Sequence, residues 1–206
     1  MFFWMCSGIS ATSSNTTRCA WAEGSDSAML AYHDQEWGVP HRDDQALFEL
    51  LTLEGAQAGL SWRTILARRG AYRDAYHGFD IERVAAMRDS ELEELLTSSG
   101  IIRNRLKVFS VRDNARIACE VIDELGSLHA YLWSFVDGKP VVNRWTDMKQ
   151  VPAKTPLSDQ MSKALAKRGF RFVGSTICYA FMQATGMVND HLVSCFRHKE
   201  SDHAEH

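Results

Sequence analysis

Apolar residues along this chain recur every three or four positions and almost never alternate, so helices are expected nearly throughout and strands nearly nowhere. Asp43 and Asp44 precede a run with Leu47, Leu50 and Leu51 on one face, which opens a helix. Ser61 can cap a second, running through Ile65 and Leu66 to Tyr72 and Tyr76. Ser90 can cap Glu91 to Leu96, with Gly100 as the stop, and a longer helix is predicted from about Arg103 to Leu125, ended by Gly126. Ser127 or Leu128 opens the next, carrying Tyr131, Trp133 and Phe135. The stretch 137–157 holds three of the four prolines and reads as a long connection. Two last helices, Ser158 to Arg168 and Gly174 to Thr185, are stopped by Gly169 and Gly186. There is no internal repeat or linker, and the fold class expected is all-α.

Within that frame sits one charge in an unexpected place. From Ala46 to Trp62 the only charged residues are Glu49 and Glu54. Helical spacing sets Glu54 on the stripe of Leu47, Leu50, Leu51 and Ala58, while Glu49 falls elsewhere and reaches water. Gly55, Ala56, Ala58 and Gly59 leave space around the Glu54 carboxylate, and Trp62 follows closely. A buried carboxylate costs several kcal/mol unless paired, has a raised pKa, and is typical of functional sites. The alternative is a helix that ends before Glu54 and leaves it in solvent or in a cap.

The chain has 206 residues, 45% hydrophobic and 24% charged, with 23 Lys+Arg against 26 Asp+Glu for a net charge of −3. These values exclude an intrinsically disordered chain, and no apolar run is long enough to span a bilayer. A mildly acidic total also speaks against a protein that coats nucleic acid, until the charge is divided. Residues 101–117 carry five Lys/Arg against one Asp, and residues 139–171 carry eight against two, so +10 lies in two stretches and −13 elsewhere. The first stretch begins at Gly100-Ile101-Ile102-Arg103, between two predicted helices, where a glycine turn would expose backbone N–H groups to a phosphate. A solvated basic face is the ordinary alternative.

Cysteine usage adds a metal hypothesis. Five widely spaced cysteines do not form a disulfide framework, and the apolar first ten residues lack the basic start of a signal peptide, so an intracellular, cytoplasmic location is expected. His191 and Cys195 would project from one face of a helix. With Cys19 and His33 they make a complete tetrahedral set for one structural Zn2+, joining the N- and C-terminal segments. Cys178 and Cys119 read as core, and His198, His203 and His206 as solvated tail positions.

Several longer motifs carry a resemblance. Tyr32-His33-Asp34-Gln35-Glu36-Trp37-Gly38, Leu53 through Trp62, Gly100-Ile101-Ile102-Arg103, Trp133-Ser134-Phe135-Val136, Lys167 through Gly174, and Asn189-Asp190-His191 through Cys195 together resemble the DNA-3-methyladenine glycosylase I family. The likeness covers about residues 18 to 196 in order. It implies an all-α, helix-hairpin-helix DNA glycosylase that removes 3-methyladenine from alkylated double-stranded DNA. It also implies a structural zinc on Cys19, His33, His191 and Cys195. Glu54 matches the family's pocket carboxylate, Tyr32, Trp62 and Trp21 its pocket aromatics, and Gly100 to Arg103 its phosphate-gripping hairpin. Leu60 occupies a position suited to probing the duplex as the base leaves. The family often has Tyr where this chain has Met29, and the Cys19-to-His33 spacing is one residue longer than usual. No Lys stands beside the pocket motif, so no Schiff-base lyase step is predicted. The expected organisation is a flexible extension at 1–17, one domain over 18–199 and a tail at 200–206, acting as a monomer without a membrane partner.

Overall fold

The stripe of leucines becomes the central helix of the molecule. In the computed structural model, which describes residues 16–98 and 100–201, that helix is α2 (Asp44–Gln57), opened by the Asp43 carboxylate accepting from Ala46 N–H at 2.8 Å. It is buried on all sides from Leu47 to Ala56 rather than along one stripe, as a helix at the centre of a bundle must be. Before it lies α1 (Ser27–Gln35), and after it come α3 (Trp62–Leu66), α4 (Arg69–Ala75) and α5 (Ile81–Ala85). The chain continues through α6 (Asp89–Ser98), α7 (Arg105–Leu125) and α8 (Leu128–Trp133). It closes with α9 (Pro156–Arg168), α10 (Ser175–Ala184) and α11 (Phe196–Ser201).

The helix stops fall where glycines allow them. Gly126 (φ 87°) ends α7 and Gly169 (φ 101°) ends α9, both in the left-handed conformation that favours glycine. Asn104 caps α7 through Lys107 N–H, and Thr155 caps α9, whose first residue is Pro156. That helix therefore starts two residues before the predicted Ser158.

Three elements differ from expectation. The helix predicted from Ser61 to Tyr76 is two helices, broken at Ala67-Arg68, which lets Arg69 and Arg73 meet Glu49 and lets Arg68 reach the Gly100 carbonyl. Glu49 is accordingly buried in an ion-pair cluster with both arginines, not in water. The connection 137–157 supplies β1 (Val141–Val142), which pairs in parallel with β2 (Val188–Asn189), the only strands among the described residues. The third is α1, whose Ser-Ala-Met-Leu-Ala-Tyr-His face shows little amphipathic contrast. Thr17 carbonyl accepts from Phe196 N–H at 3.0 Å, so the two ends of the described chain meet. Most of the expected extension at 1–17 and residues 202–206, with His203 and His206, lie outside the described residues. His198 is not solvated: it is buried, with its Nε2 2.9 Å from the Asn143 carbonyl. Cys178 is core as expected, whereas Cys119 is half-buried.

Candidate functional site

The last turn of α2 opens into a cavity. Glu54 is 4% exposed, and its carboxyl is pushed up to about 8 by burial. The Glu54 side chain lines a cavity of ≈ 440 Å³ together with Trp21, Tyr32 and Trp62, all four pocket residues anticipated from the sequence. That volume lies within the range of small-molecule sites. Tyr32 is delivered by α1, whose N-cap Asp26 accepts from Met29 N–H at 2.9 Å. Burial, and then the neighbouring Glu54, push the Tyr32 hydroxyl well above its ordinary pKa. The Tyr32 and Trp62 rings stand 5.2 Å apart and inclined by 46°, and Trp21 lies 6.5 Å from Tyr32. Trp62 Nε1 is buried and has no hydrogen-bond partner among the described residues.

Sequence reasoning left other walls of this cavity unassigned. Trp37, Gln57, Ala180 and Gln183 line it, as do Met148, Val151 and Pro152 from the long connection. Met29, where the family often has Tyr, lines it too and presents a thioether in place of a hydroxyl. Periodicity could not find these residues, because they come from four separate segments of the chain.

Beside the cavity, Leu60 lines a neighbouring recess of ≈ 210 Å³ with Glu54 and Gln57. Gly59 (φ 82°) makes the turn that leaves Leu60 40% exposed. Gly55 packs closely on Phe172: a Cβ there would lie 3.2 Å from Phe172 Cβ, a tight contact.

The anticipated hairpin is the turn between α6 and α7. A Cβ on Gly100 would come within 2.9 Å of Ala71 Cβ, so the turn packs directly on α4. Gly100 carbonyl accepts from Arg68 Nη1, and Ile102 N–H donates to Tyr72 hydroxyl at 3.3 Å. Ile101 is buried at 3% exposure, so its side chain anchors the turn in the core, while Arg103 is exposed. Four of the thirteen counted lysines and arginines are committed to ion pairs. Arg105 pairs with Glu93, Arg112 with Asp89, Lys154 with Asp159 and Arg168 with Glu124. A lysine does approach the pocket motif: Lys107 Nζ donates to Ala56 and Ala58 carbonyls at 2.8 and 2.7 Å, and burial lowers its pKa. It caps the C-terminus of α2 and does not line the ≈ 440 Å³ cavity.

The four anticipated metal ligands converge, although His191 and Cys195 lie in the turn between β2 and α11 and not on one face of a helix as their spacing suggested. Ligand atoms of Cys19, His33, His191 and Cys195 all lie within 4.8 Å of one another, and all four residues are buried. Sγ of Cys195 is 3.5 Å from both His33 Nε2 and His191 Nδ1, and Sγ of Cys19 is 3.6 Å from His191 Nδ1. Usual zinc–sulfur and zinc–nitrogen lengths give tetrahedral S···N edges of about 3.6 Å, so the set fits such an ion. The remaining ring nitrogens are held as metal-binding imidazoles usually are: His33 Nδ1 by Asp34 at 2.8 Å, His191 Nε2 by the Trp37 carbonyl at 3.0 Å. Arg18 grips Asp34 through two nitrogens and holds its carboxyl below the usual range. A Cβ on Gly38 would touch His191 Nε2 at 3.0 Å, so a small residue is required there.

A helical bundle enclosing an aromatic cavity around a buried carboxylate, with the ends of the described chain meeting near a Cys/His cluster, has the form of a small-molecule-binding domain. The chain belongs to the Methyladenine glycosylase family, whose sequence pattern matches residues 21–198. It is 48% identical to DNA-3-methyladenine glycosylase 1 of Escherichia coli (strain K12) over 178 residues, covering 86% of this chain and 95% of that one. A crystal structure of 3-methyladenine DNA glycosylase I superposes with a TM-score of 0.84 at 49% identity, covering 87% of this chain and 98% of that chain. The Staphylococcus aureus enzyme, in a structure addressing 3-methyladenine recognition, gives a TM-score of 0.83 at 35% identity, covering 86% and 94% of the two chains.

Proposed function

We propose that this protein is a monofunctional DNA glycosylase of base-excision repair that hydrolyses the N-glycosidic bond of 3-methyladenine in alkylated double-stranded DNA. The observation that carries this reading is the Glu54 carboxyl, buried with no ion-pair partner among the described residues in an aromatic cavity of a methyladenine glycosylase family member. A base inside a duplex is out of reach, so the nucleotide must swing into the cavity at a cost of a few kcal/mol. Methylation at N3 makes the base cationic and weakens its bond to the sugar. The faces of Trp62 and Tyr32 attract that cation, each contact contributing roughly 0.5–2 kcal/mol. A cation beside Glu54 also favours the ionised carboxylate, which hydrogen-bonds the base and stabilises positive charge developing on the sugar.

The C1′–N bond then breaks, with its electron pair leaving on the base, which departs neutral. Water adds its oxygen to C1′ and releases a proton, leaving an abasic site. No strong general acid is needed, and no lysine among the described residues lines the cavity. Arg103 and the turn from Gly100 to Ile102 form the phosphate-gripping element of a helix-hairpin-helix, and Leu60 probes the duplex beside the vacated position. Cys19, His33, His191 and Cys195 hold one structural Zn2+, which supplies a crosslink between the chain ends and takes no part in the chemistry. The protein acts inside the cell as a monomer. None of the helices among the described residues is long and apolar enough to cross a membrane.

The test is release of free 3-methyladenine from methylated duplex DNA by wild type and by Glu54→Ala. Equal release from both removes Glu54 from the mechanism. No release by wild type favours a zinc-stabilised DNA-binding module instead. Comparable release of 7-methylguanine would widen the substrate range to alkylpurines in general.

A further inference from the structure

The cavity that Glu54 lines is also lined by an amide, Gln183, held by a second buried carboxylate that the chemistry above does not use. Asp190 is 1% exposed and accepts four hydrogen bonds. Asn143 Nδ2 (2.7 Å) and Trp145 Nε1 (2.6 Å) donate to its Oδ1, while Tyr179 hydroxyl (2.6 Å) and Gln183 Nε2 (2.7 Å) donate to its Oδ2. The indole N–H of Trp145 can only donate, so this carboxylate acts as an acceptor. A flipped Gln183 amide would set its Oε1 against Asp190 Oδ2, acceptor against acceptor, so the orientation is dictated by the network. The backbone is fixed as well, because Gln183 carbonyl accepts from Gly38 N–H at 3.0 Å. Gln183 lines the same cavity as Glu54, Tyr32 and Trp62, and its side-chain oxygen accepts no hydrogen bond from the described residues.

We propose that Gln183, oriented by Asp190, is a specificity-determining residue whose side-chain carbonyl selects bases with a 6-amino group over bases with a 6-oxo group. This rests on the cavity being the base site. An exocyclic amine donates to that carbonyl, whereas an exocyclic oxygen faces it acceptor to acceptor, and a buried polar group left unpaired penalises the wrong ligand. Asp190 acts through Gln183 and is a positioning residue. The Asp190→Asn change would place an NH2 where an oxygen now accepts. The Gln183 amide would then turn its own NH2 toward the cavity and favour the 6-oxo base.

The experiment measures binding of free 3-methyladenine and free 3-methylhypoxanthine to the metal-loaded full chain, with melting temperatures recorded for every variant. Wild type should prefer 3-methyladenine by roughly tenfold or more, the size of one buried hydrogen bond. Gln183→Leu, similar in size and without the amide, should bring the ratio near one, chiefly by weakening 3-methyladenine. Asp190→Asn should lower or invert the ratio; should it fail to fold, the leucine variant decides alone. A loss in Gln183→Leu that is equal for both bases would show packing only and overturn the assignment. So would a wild type that binds both bases equally. A wild type that discriminates between the free bases yet releases none from DNA would instead overturn the glycosylase reading, with the binding ratio still judging Gln183.

Discussion

Replacing Glu54 with glutamine keeps the shape of the side chain and removes its ability to ionise, which isolates the free-energy cost of placing that carboxyl in the cavity wall. In the folded protein the group titrates near 8, against an ordinary 4.5, because burial disfavours the charge. The folded-state pKa lies above the unfolded one, so the unfolded chain gives up its proton first as the pH rises. Wild-type stability is therefore complete on this account below about pH 4.5, falls between 4.5 and 8, and levels off above. At about 1.4 kcal/mol per pH unit, the loss is about 3 kcal/mol at pH 7 and about 5 kcal/mol above pH 8. Glu54→Gln escapes it. Urea unfolding of both proteins, metal-loaded, at pH 5, 7 and 9 should give nearly equal stabilities at pH 5 and a widening advantage for glutamine up to pH 9. Contributions from other titrating groups cancel in the difference. Parallel curves for the two proteins would refute the reasoning, because they would mean that water or a partner stabilises the ionised carboxylate.

Other outcomes follow from the same geometry. Stripping the metal with a chelator, or Cys195→Ser, should lower the melting temperature by roughly 10–20 °C, corresponding to about 5 kcal/mol in a chain of this size, and metal analysis should find one zinc per chain before treatment. An unchanged melting curve would leave the Cys/His cluster without a structural ion. Lys107→Met should cost about 1–3 kcal/mol in urea unfolding by leaving the Ala56 and Ala58 carbonyls uncapped, and base release should slow because Glu54 and Leu60 flank that turn. Full stability in this variant would show that water replaces the ammonium at no cost. Leu60→Ala should leave stability within about 0.5 kcal/mol of wild type, since the side chain is 40% exposed, while lowering release from duplex DNA more than from single strands. Equal effects on both substrates would separate Leu60 from duplex probing.

How far the sequence reveals such a site depends on whether its residues obey a local rule. Glu54 was legible because a lone charge broke a helical stripe, and the Cys/His cluster because its side-chain chemistry is specific, even though His191 and Cys195 meet through a turn and not through the helix their spacing suggested. Glu49 misled for a related reason. Period 3.6 tells which residues share a face, but α2 is covered on every face, and the residues that neutralise Glu49, Arg69 and Arg73, lie on another helix. The charge count overstates the free positive charge in the same way, since Arg105, Arg112 and Arg168 are balanced by acids from other segments. Asp190 and Gln183 illustrate the limit most clearly. Each is an ordinary polar residue in its own segment, and their significance arises only where α10, β2 and the loop after β1 bring four donors onto one carboxylate. A motif can place an ionisable group in a pocket, but the direction of a neutral amide is set by partners far along the chain. Discrimination between bases that share a methyl group and differ at one exocyclic atom is therefore a property of the folded network.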